Sequence, residues 1–343
     1  MIDERWDPEV EEIAQALARM LSVECTSAAV RSAEADHGGA SPGIGALVDA
    51  FGLEQLEGSP ALFARIAMEF GRALVPVPFV ETMPVLALTG TPGVAWSHDG
   101  LAPAALDRIG VARDGGYFAE PLAGEGRLTA AGDYLVPHQP TGTGDRLGDA
   151  ALADRVARYA GLTMAARIVG AGQALLAYAC RYVAEREQFG RPIGAFQAVA
   201  HRLANVVGEL DAADLMLRKA AFAAEPDNGG DGAPPAHFAI MVWAQAVRAG
   251  RFAATNVHQV FGGNGFAMEY DVQLYSRRIR SWAMRGPRSE TALAELGRMV
   301  LDPARRDAMA LLWQFDQGMQ LPRWAREADM LPTQAAQRTN AAA

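Results

Sequence analysis

Apolar residues recur every three or four positions over 8–32, where Val10, Ile13, Leu17, Met20 and Leu21 share a stripe and predict an amphipathic helix. The string DHGGASPGIG (36–45) reads as a loop from its Gly, Pro and Ser content, and a second helical run is expected over Ile44 to Gly52. A third runs from Ser59-Pro60 to Leu74, with Ser as N-cap and Pro in the first turn. From Leu86 to Asp145 the pattern changes. Turn signals such as TGTPG, SHDG, ARDGG and TGTGD separate short apolar pieces such as GVAWS, RIGVA and DYLVPH, which predicts short strands in a small β unit. Beyond Ala151 helical periodicity returns in five runs. They cover 151–187, 195–224, 237–258, 271–284 and 290–312, and EPDNGGDGAPP (225–235) is a linker between two of them. Gly161, Gly170 and Gly172 in the first of these runs allow close helix–helix approach.

The expected fold class is therefore mainly α with a small β unit. A helical unit (1–85) precedes a reduced β unit (86–150) and a four- or five-helix bundle (151–330), and the polar tail (331–343) is expected to be disordered. At 343 residues, half of them hydrophobic and 21% charged, the chain is long and apolar enough to bury a sizeable core. The formal net charge of −9 argues against nucleic acid or an anionic membrane as bulk partners, and no run approaches a membrane span. Locally basic segments at Arg186, Arg191 and Arg277-Arg278-Ile279-Arg280 still leave room for an anion pocket. Cys25 and Cys180 form no C-x-x-C pair and are expected to be buried, inert thiols of a cytoplasmic protein. The acidic start, with Asp3, Glu4, Asp7 and Glu9, is unlike a signal peptide, and the six histidines show no metal-ligand spacing.

Two stretches carry candidate chemistry. In EREQFGRPIGAFQ (185–197) a long helix ends, Gly190 suits a left-handed C-terminal position, and Pro192 stops the helix from continuing. A guanidinium able to grip phosphate with two parallel bonds stands there beside two amides and two aromatics. In HQVFGGNGFAMEYDVQLYSRR (258–278), Gln259 ends a helix, and Gly262-Gly263 lets the backbone approach a bulky anion with its amides exposed.

The first stretch resembles the acyl-CoA dehydrogenase pattern R-x-Q-F-G-x-x-[IL]-x-x-[FH]-Q. The second resembles that family's Q-[ILV]-[FH]-G-G-x-G-[FY] segment, and FGRALVPVP (70–78) is similar to the string closing its N-terminal helical domain. The resemblance implies an N-terminal helical domain, a middle β domain and a C-terminal bundle, with FAD as cofactor and an acyl-CoA as substrate. It also implies that Arg186, Gln188, Phe189, Gln197, Gln259, Gly262 and Gly263 contact FAD, Arg186 and Gln197 doing so across a subunit interface. The family's flavin-side motif T-E-P-x-A-G-S-D has only FAEPLAGEG (118–126) to match it, and a plain Gly-rich hairpin loop is the simpler reading.

The family's catalytic carboxylate is missing. Counting ten residues from Tyr275 reaches Arg285, in AMRGPRSE, and the second known position falls on Ala160. Arginine stays protonated and cannot abstract a proton. Glu290, Asp154 and Glu269 are substitutes that no spacing selects, and Arg285 could instead bind a carboxylate or phosphate or form a surface salt bridge. Residues that serve a neighbour's FAD are kept while those for the chain's own chemistry are lost. This resembles the shortened subunits of heteromeric α₂β₂ acyl-CoA dehydrogenases of bacterial sterol and bile-acid side-chain degradation. The expected partner is a second acyl-CoA dehydrogenase-like subunit. A homo-oligomer with a relocated base, and a flavin-free scaffold or CoA-binding protein, remain as alternatives.

Overall fold

The computed structural model describes residues 6–36, 51–52, 59–307 and 309; most of the run expected over 44–52, the end of the fifth bundle helix and the 331–343 tail lie outside them. Helix α1 (Pro8–Glu24) starts on the Asp7 cap and buries Val10, Ala14, Leu17 and Leu21. The single helix expected over 8–32 is two, because Thr26 caps a new one, α2 (Ser27–Ala35), with its hydroxyl accepting from Ala29 N. Helix α3 (Pro60–Ala73) begins as expected, Ser59 accepting from Leu62 N at 3.1 Å. Helix α4 (Phe79–Thr89) crosses the position where the sequence suggests a boundary at 85/86. It is buried nearly all round and contains Pro84, so it has neither an amphipathic period nor an uninterrupted helix composition to announce it.

The β region holds two small sheets. β1 (Val94–Trp96) pairs in parallel with β3 (Arg108–Arg113), which pairs antiparallel with β4 (Gly116–Pro121), and β4 with β7 (Asp145–Asp149) past a bulge at Tyr117/Phe118. β2 (Leu101–Pro103), β5 (Arg127–Leu128) and β6 (Tyr134–Pro137) form a second sheet in the order β2-β6-β5.

Helix α5 (Ala150–Glu185), 36 residues long, is the spine of the C-terminal bundle. It contains the chain's one described helix long and apolar enough to cross a membrane, which amends the expectation that no such run exists; 72% of that apolar window is buried inside the protein, as in a core helix. After α5 come the short strands β8 (Glu187–Gln188) and β9 (Arg191–Pro192), then helices α6 (Gln197–Ala224), α7 (Ala236–Phe261), α8 (Val272–Trp282), α9 (Ser289–Leu301) and α10 (Pro303–Asp307). One continuous core runs from α1 through α3 and α4 into this bundle.

The tightest packing is where α3 crosses α5. A Cβ on Gly170 would lie 2.0 Å from Met68 O, and one on Gly71 would lie 2.0 Å from Arg167 O. Only glycine lets two helix backbones meet so closely. Gly172 makes room for Leu210 of α6, whereas Gly161 faces open space and is not a packing glycine. Cys25 is buried, donating to Ala73 O at 3.1 Å, and burial pushes its thiol up to about 12. Cys180 is exposed on α5, contrary to the expectation that both thiols are buried.

Gly170→Ala is expected to destabilise the chain by about 1–3 kcal/mol, because the clash is with backbone and cannot be relieved by a rotamer change. Gly161→Ala, in open helix, should instead gain about 0.5–1 kcal/mol. Urea titrations of the two variants should shift in opposite directions; equal shifts would refute the crossing argument.

Candidate functional site

The corner at 185–197 is built differently from a simple helix stop. α5 ends at Glu185, and Glu187-Gln188 pairs with Arg191-Pro192 in a miniature hairpin whose two-residue turn is Phe189-Gly190. Both turn residues have positive φ, 54° and 78°, as a type I′ turn demands. Gly190 therefore serves the hairpin rather than a helix C-terminus. Phe189 is an aromatic in a conformation that non-glycine residues avoid, and it is 92% exposed. Its ring meets Phe196 edge-on, and the Arg191 guanidinium lies 4.1 Å over the Phe196 ring. Ile193 N donates to Arg186 O at 2.8 Å, and one 3₁₀ turn leads to Gln197 as the first residue of α6.

The second stretch is brought to the same end of the bundle. α7 ends at Phe261, and Gly262 caps it with φ 59° and ψ −132°, a conformation open only to glycine. A 3₁₀ turn, Gly262–Phe266, comes next. Phe261 stacks on Tyr182 of α5 with ring centroids 3.9 Å apart, and Asn264 Nδ2 donates to Tyr182 OH at 2.9 Å. Tyr182 O in turn accepts from Arg186 N at 2.8 Å. Tyr182 is thus the hinge pin joining the two motifs, a role that the sequence does not announce because a tyrosine near a helix end carries no pattern.

Arg186, Gln188, Phe189, Gln197, Gln259, Gly262 and Gly263 are all exposed or half-buried at this end of the bundle. Among the described residues only one of their side chains is hydrogen-bonded, Gln188 Nε2 to Glu187 O. A Cβ on Gly262 or Gly263 would meet nothing within 4 Å, so the backbone there is open to a ligand. Uncommitted guanidinium and amide donors beside an unshielded glycine turn fit the phosphates and aromatic ring of a dinucleotide such as FAD. None of the seven lines the partly open cavity between the helical unit, the β region and the bundle.

That cavity, about 300 Å³, lies where the 75–78 loop, α4, β2, β6, α5 and α8 converge. Arg285 lines it and is 5% exposed, so it forms no surface salt bridge. Its Nη2 donates to Leu101 O at 2.6 Å, and its Nε lies 3.1 Å from Asp99 Oδ2. The segment is fixed from behind by Trp243, whose indole donates to Pro287 O at 2.8 Å and whose ring leaves no room for a side chain at Gly286. Ala160 is buried in α5. The substitutes do not converge here either: Asp154 pairs with Arg158 at 2.8 Å, while Glu269 and Glu290 are exposed and away from the cavity. Sequence reasoning missed Glu81, Arg167 and Asp133 in its lining. The available signal was a single charge inside an otherwise apolar helix, at Glu81 of α4, and an arginine within the apolar middle of α5, at Arg167.

The FAEPLAGEG string is the end of β4 and the loop after it, as the hairpin-loop reading expects. Its Glu120 is fully buried. Burial would raise its pKa, but Thr141 N (2.7 Å), Arg113 Nε (2.7 Å), Thr141 Oγ1 (3.1 Å) and His138 Nε2 (3.2 Å) surround it and hold it down to about 2. The carboxylate fastens the 138–141 loop to β4, a structural task.

The frame of helical unit, small sheets and bundle is the acyl-CoA dehydrogenase fold. The chain superposes on the Tcur3481-Tcur3483 steroid ACAD G363A variant with a TM-score of 0.75 and 20% identity, covering 86% of this chain and 98% of that one. It superposes on the ChsE4-ChsE5 complex from Mycobacterium tuberculosis with a TM-score of 0.72 and 18% identity, covering 88% and 99%. Residues 153–301 match the family model described as acyl-CoA dehydrogenase, C-terminal domain. The acyl-CoA dehydrogenase FadE34 of Mycobacterium tuberculosis is 37% identical over 125 residues, 36% of this chain. The match spans 17% of FadE34, and matches to two further relatives span 32% and 37% of theirs.

Glu120→Gln should weaken the fold by roughly 1–3 kcal/mol at neutral pH, by leaving buried donors ill-matched. A depressed carboxylate stabilises the fold above its unfolded pKa, so the wild-type advantage should be full above about pH 4.5 and fade as pH falls toward 2. Thermal unfolding of both proteins across that range would show the curves converging at the acid end; a constant gap would refute the assignment.

Proposed function

We propose that this chain is a subunit of a cytoplasmic FAD-dependent acyl-CoA dehydrogenase that introduces an α,β double bond into an acyl-CoA thioester. In this reading it is the partner subunit, which completes a flavin site held mainly by a second acyl-CoA dehydrogenase-like chain. The observation that carries it is a separation of roles. The seven candidate flavin contacts are exposed and none of them lines the cavity, which has an arginine where the family keeps its base.

When bound, the flavin would accept the hydride that leaves Cβ of the acyl group. This chain's part is positioning: Arg186 supplies a planar cation for a phosphate, Gln197 and Gln259 supply amide contacts, and the Gly262-Gly263 turn admits the dinucleotide backbone closely. A relocated base in this chain is disfavoured by Glu81. One of its oxygens is bound to Arg167 at 2.7 Å, an ion pair that favours the carboxylate and opposes its taking up a proton, and the other is buried away from solvent. The resemblance of the solved heteromers in fold adds support for a paired assembly.

Co-expression with the neighbouring reading frame tests the proposal. A yellow complex is expected only when both chains are present. A yellow protein from this chain by itself would favour a homomeric enzyme, and colourless protein in both cases would sink the flavin assignment. Arg186→Ala should lower FAD occupancy of the complex at least about tenfold, the loss of a charge-assisted contact pair. Its helical circular dichroism should be unchanged; a fall in helicity would make the residue structural.

A further inference from the structure

The cavity lined by Arg285 includes none of the proposed flavin contacts and is left without a task by them. We propose that it binds a small anion carrying a carboxylate or phosphate group, held by the guanidinium groups of Arg167, Arg278 and Arg285.

The three arginines come from α5, α8 and the segment after α8, and their residues are 5%, 3% and 5% exposed. Buried cations at that level occur where something compensates them. Each has an acidic neighbour: Glu81 at 2.7 Å for Arg167, Glu34 at 2.7 Å for Arg278 and Asp99 at 3.1 Å for Arg285. A guanidinium offers five donors, and one acid cannot use them all. No hydrogen bond to a described residue is made by Nη2 of Arg167, Nη2 of Arg278 or Nη1 of Arg285. The buried Nε of Arg167 is also without a hydrogen bond, whereas that of Arg285 faces Asp99.

The lining holds acids as well: Asp133 Oδ2 accepts from Ser281 at 3.0 Å, Glu81 Oε2 is buried without a hydrogen bond, and Asp36 is exposed. The three arginines line the cavity from three separate segments. The Arg167 guanidinium is also held 4.0 Å over the ring of Trp282, which restricts its rotation. Burial lowers the pKa of Arg278 against the opposing pull of Glu34 and Asp133, and the neighbouring Arg277 charge acts in the same sense as burial. Walls formed by Val75, Pro103 and Leu135 leave space for a short apolar body behind the anionic group. The volume is at the small end of ligand pockets, too small for a sterol-sized ligand.

The test uses the purified full-length chain in a buffer free of phosphate and carboxylates, titrated calorimetrically with succinate, inorganic phosphate and succinamide. One-to-one saturable binding of succinate or phosphate is expected, and the better of the two identifies the anionic group. Succinamide, a neutral analogue of succinate, should not bind. Arg285→Gln should weaken the anion at least about tenfold, and Arg285→Lys should also weaken it because the planar fork is lost. Should Arg285→Gln leave Asp99 unpaired and the fold damaged, the Asp99→Asn, Arg285→Gln double variant removes both charges and provides the same reading. The proposal is overturned if neither anion saturates, if succinamide binds as well as succinate, or if affinity is unchanged in the folded variant.

Discussion

The approach of α3 to α5 at Gly71 and Gly170 governs the rest of the structure. Two helix backbones in contact leave no slack for either helix to slide or roll. The carbonyl that meets Gly71 belongs to Arg167, so the same crossing that joins the helical unit to the bundle also sets where this guanidinium projects. From that fixed point α5 continues to Tyr182, whose ring and hydroxyl anchor the end of α7 and the turn after it. The cavity and the 185–197 corner are therefore two consequences of one rigid rod, with no lining residue in common.

The polar contacts between units obey the same logic. Glu34 of α2 meets Arg277 and Arg278 of α8, and Arg31 meets Asp271 at 2.8 Å and Met268 O at 2.9 Å. These pairs are partly or largely buried and join segments far apart in the chain, so they select one arrangement of helices rather than adding much stability. Exposed pairs such as Arg298 with Glu295 do neither.

Much of this was legible in the sequence, for physical reasons that differ by element. Ser59-Pro60 announced α3 because caps are local chemistry, and Gly170 announced close packing because nothing else permits it. The two motifs were readable as patterns, and their exposure explains why no core periodicity hides them. Helix α4 was not readable, since burial on every side erases the alternation that marks a helix. The break at Thr26 hid inside a continuous stripe, and Gly190 was credited to a helix end because a hairpin of two-residue strands has no sequence period. Cys180 and Arg167 show the opposite limits: the exposure of one and the burial of the other depend on which face of α5 meets a neighbour, and a 36-residue helix packed against several partners has no single polar face.

The Phe189-Gly190 turn has a consequence for assembly kinetics. Its backbone is locked by the flanking strand pair and by the packing of Phe196 and Arg191, so the ordering entropy of this corner falls on folding and not on association. Under the proposed function, a partner chain or a nucleotide would meet a surface already in its final shape, and its association would be limited by encounter and orientation rather than by a loop searching for its conformation.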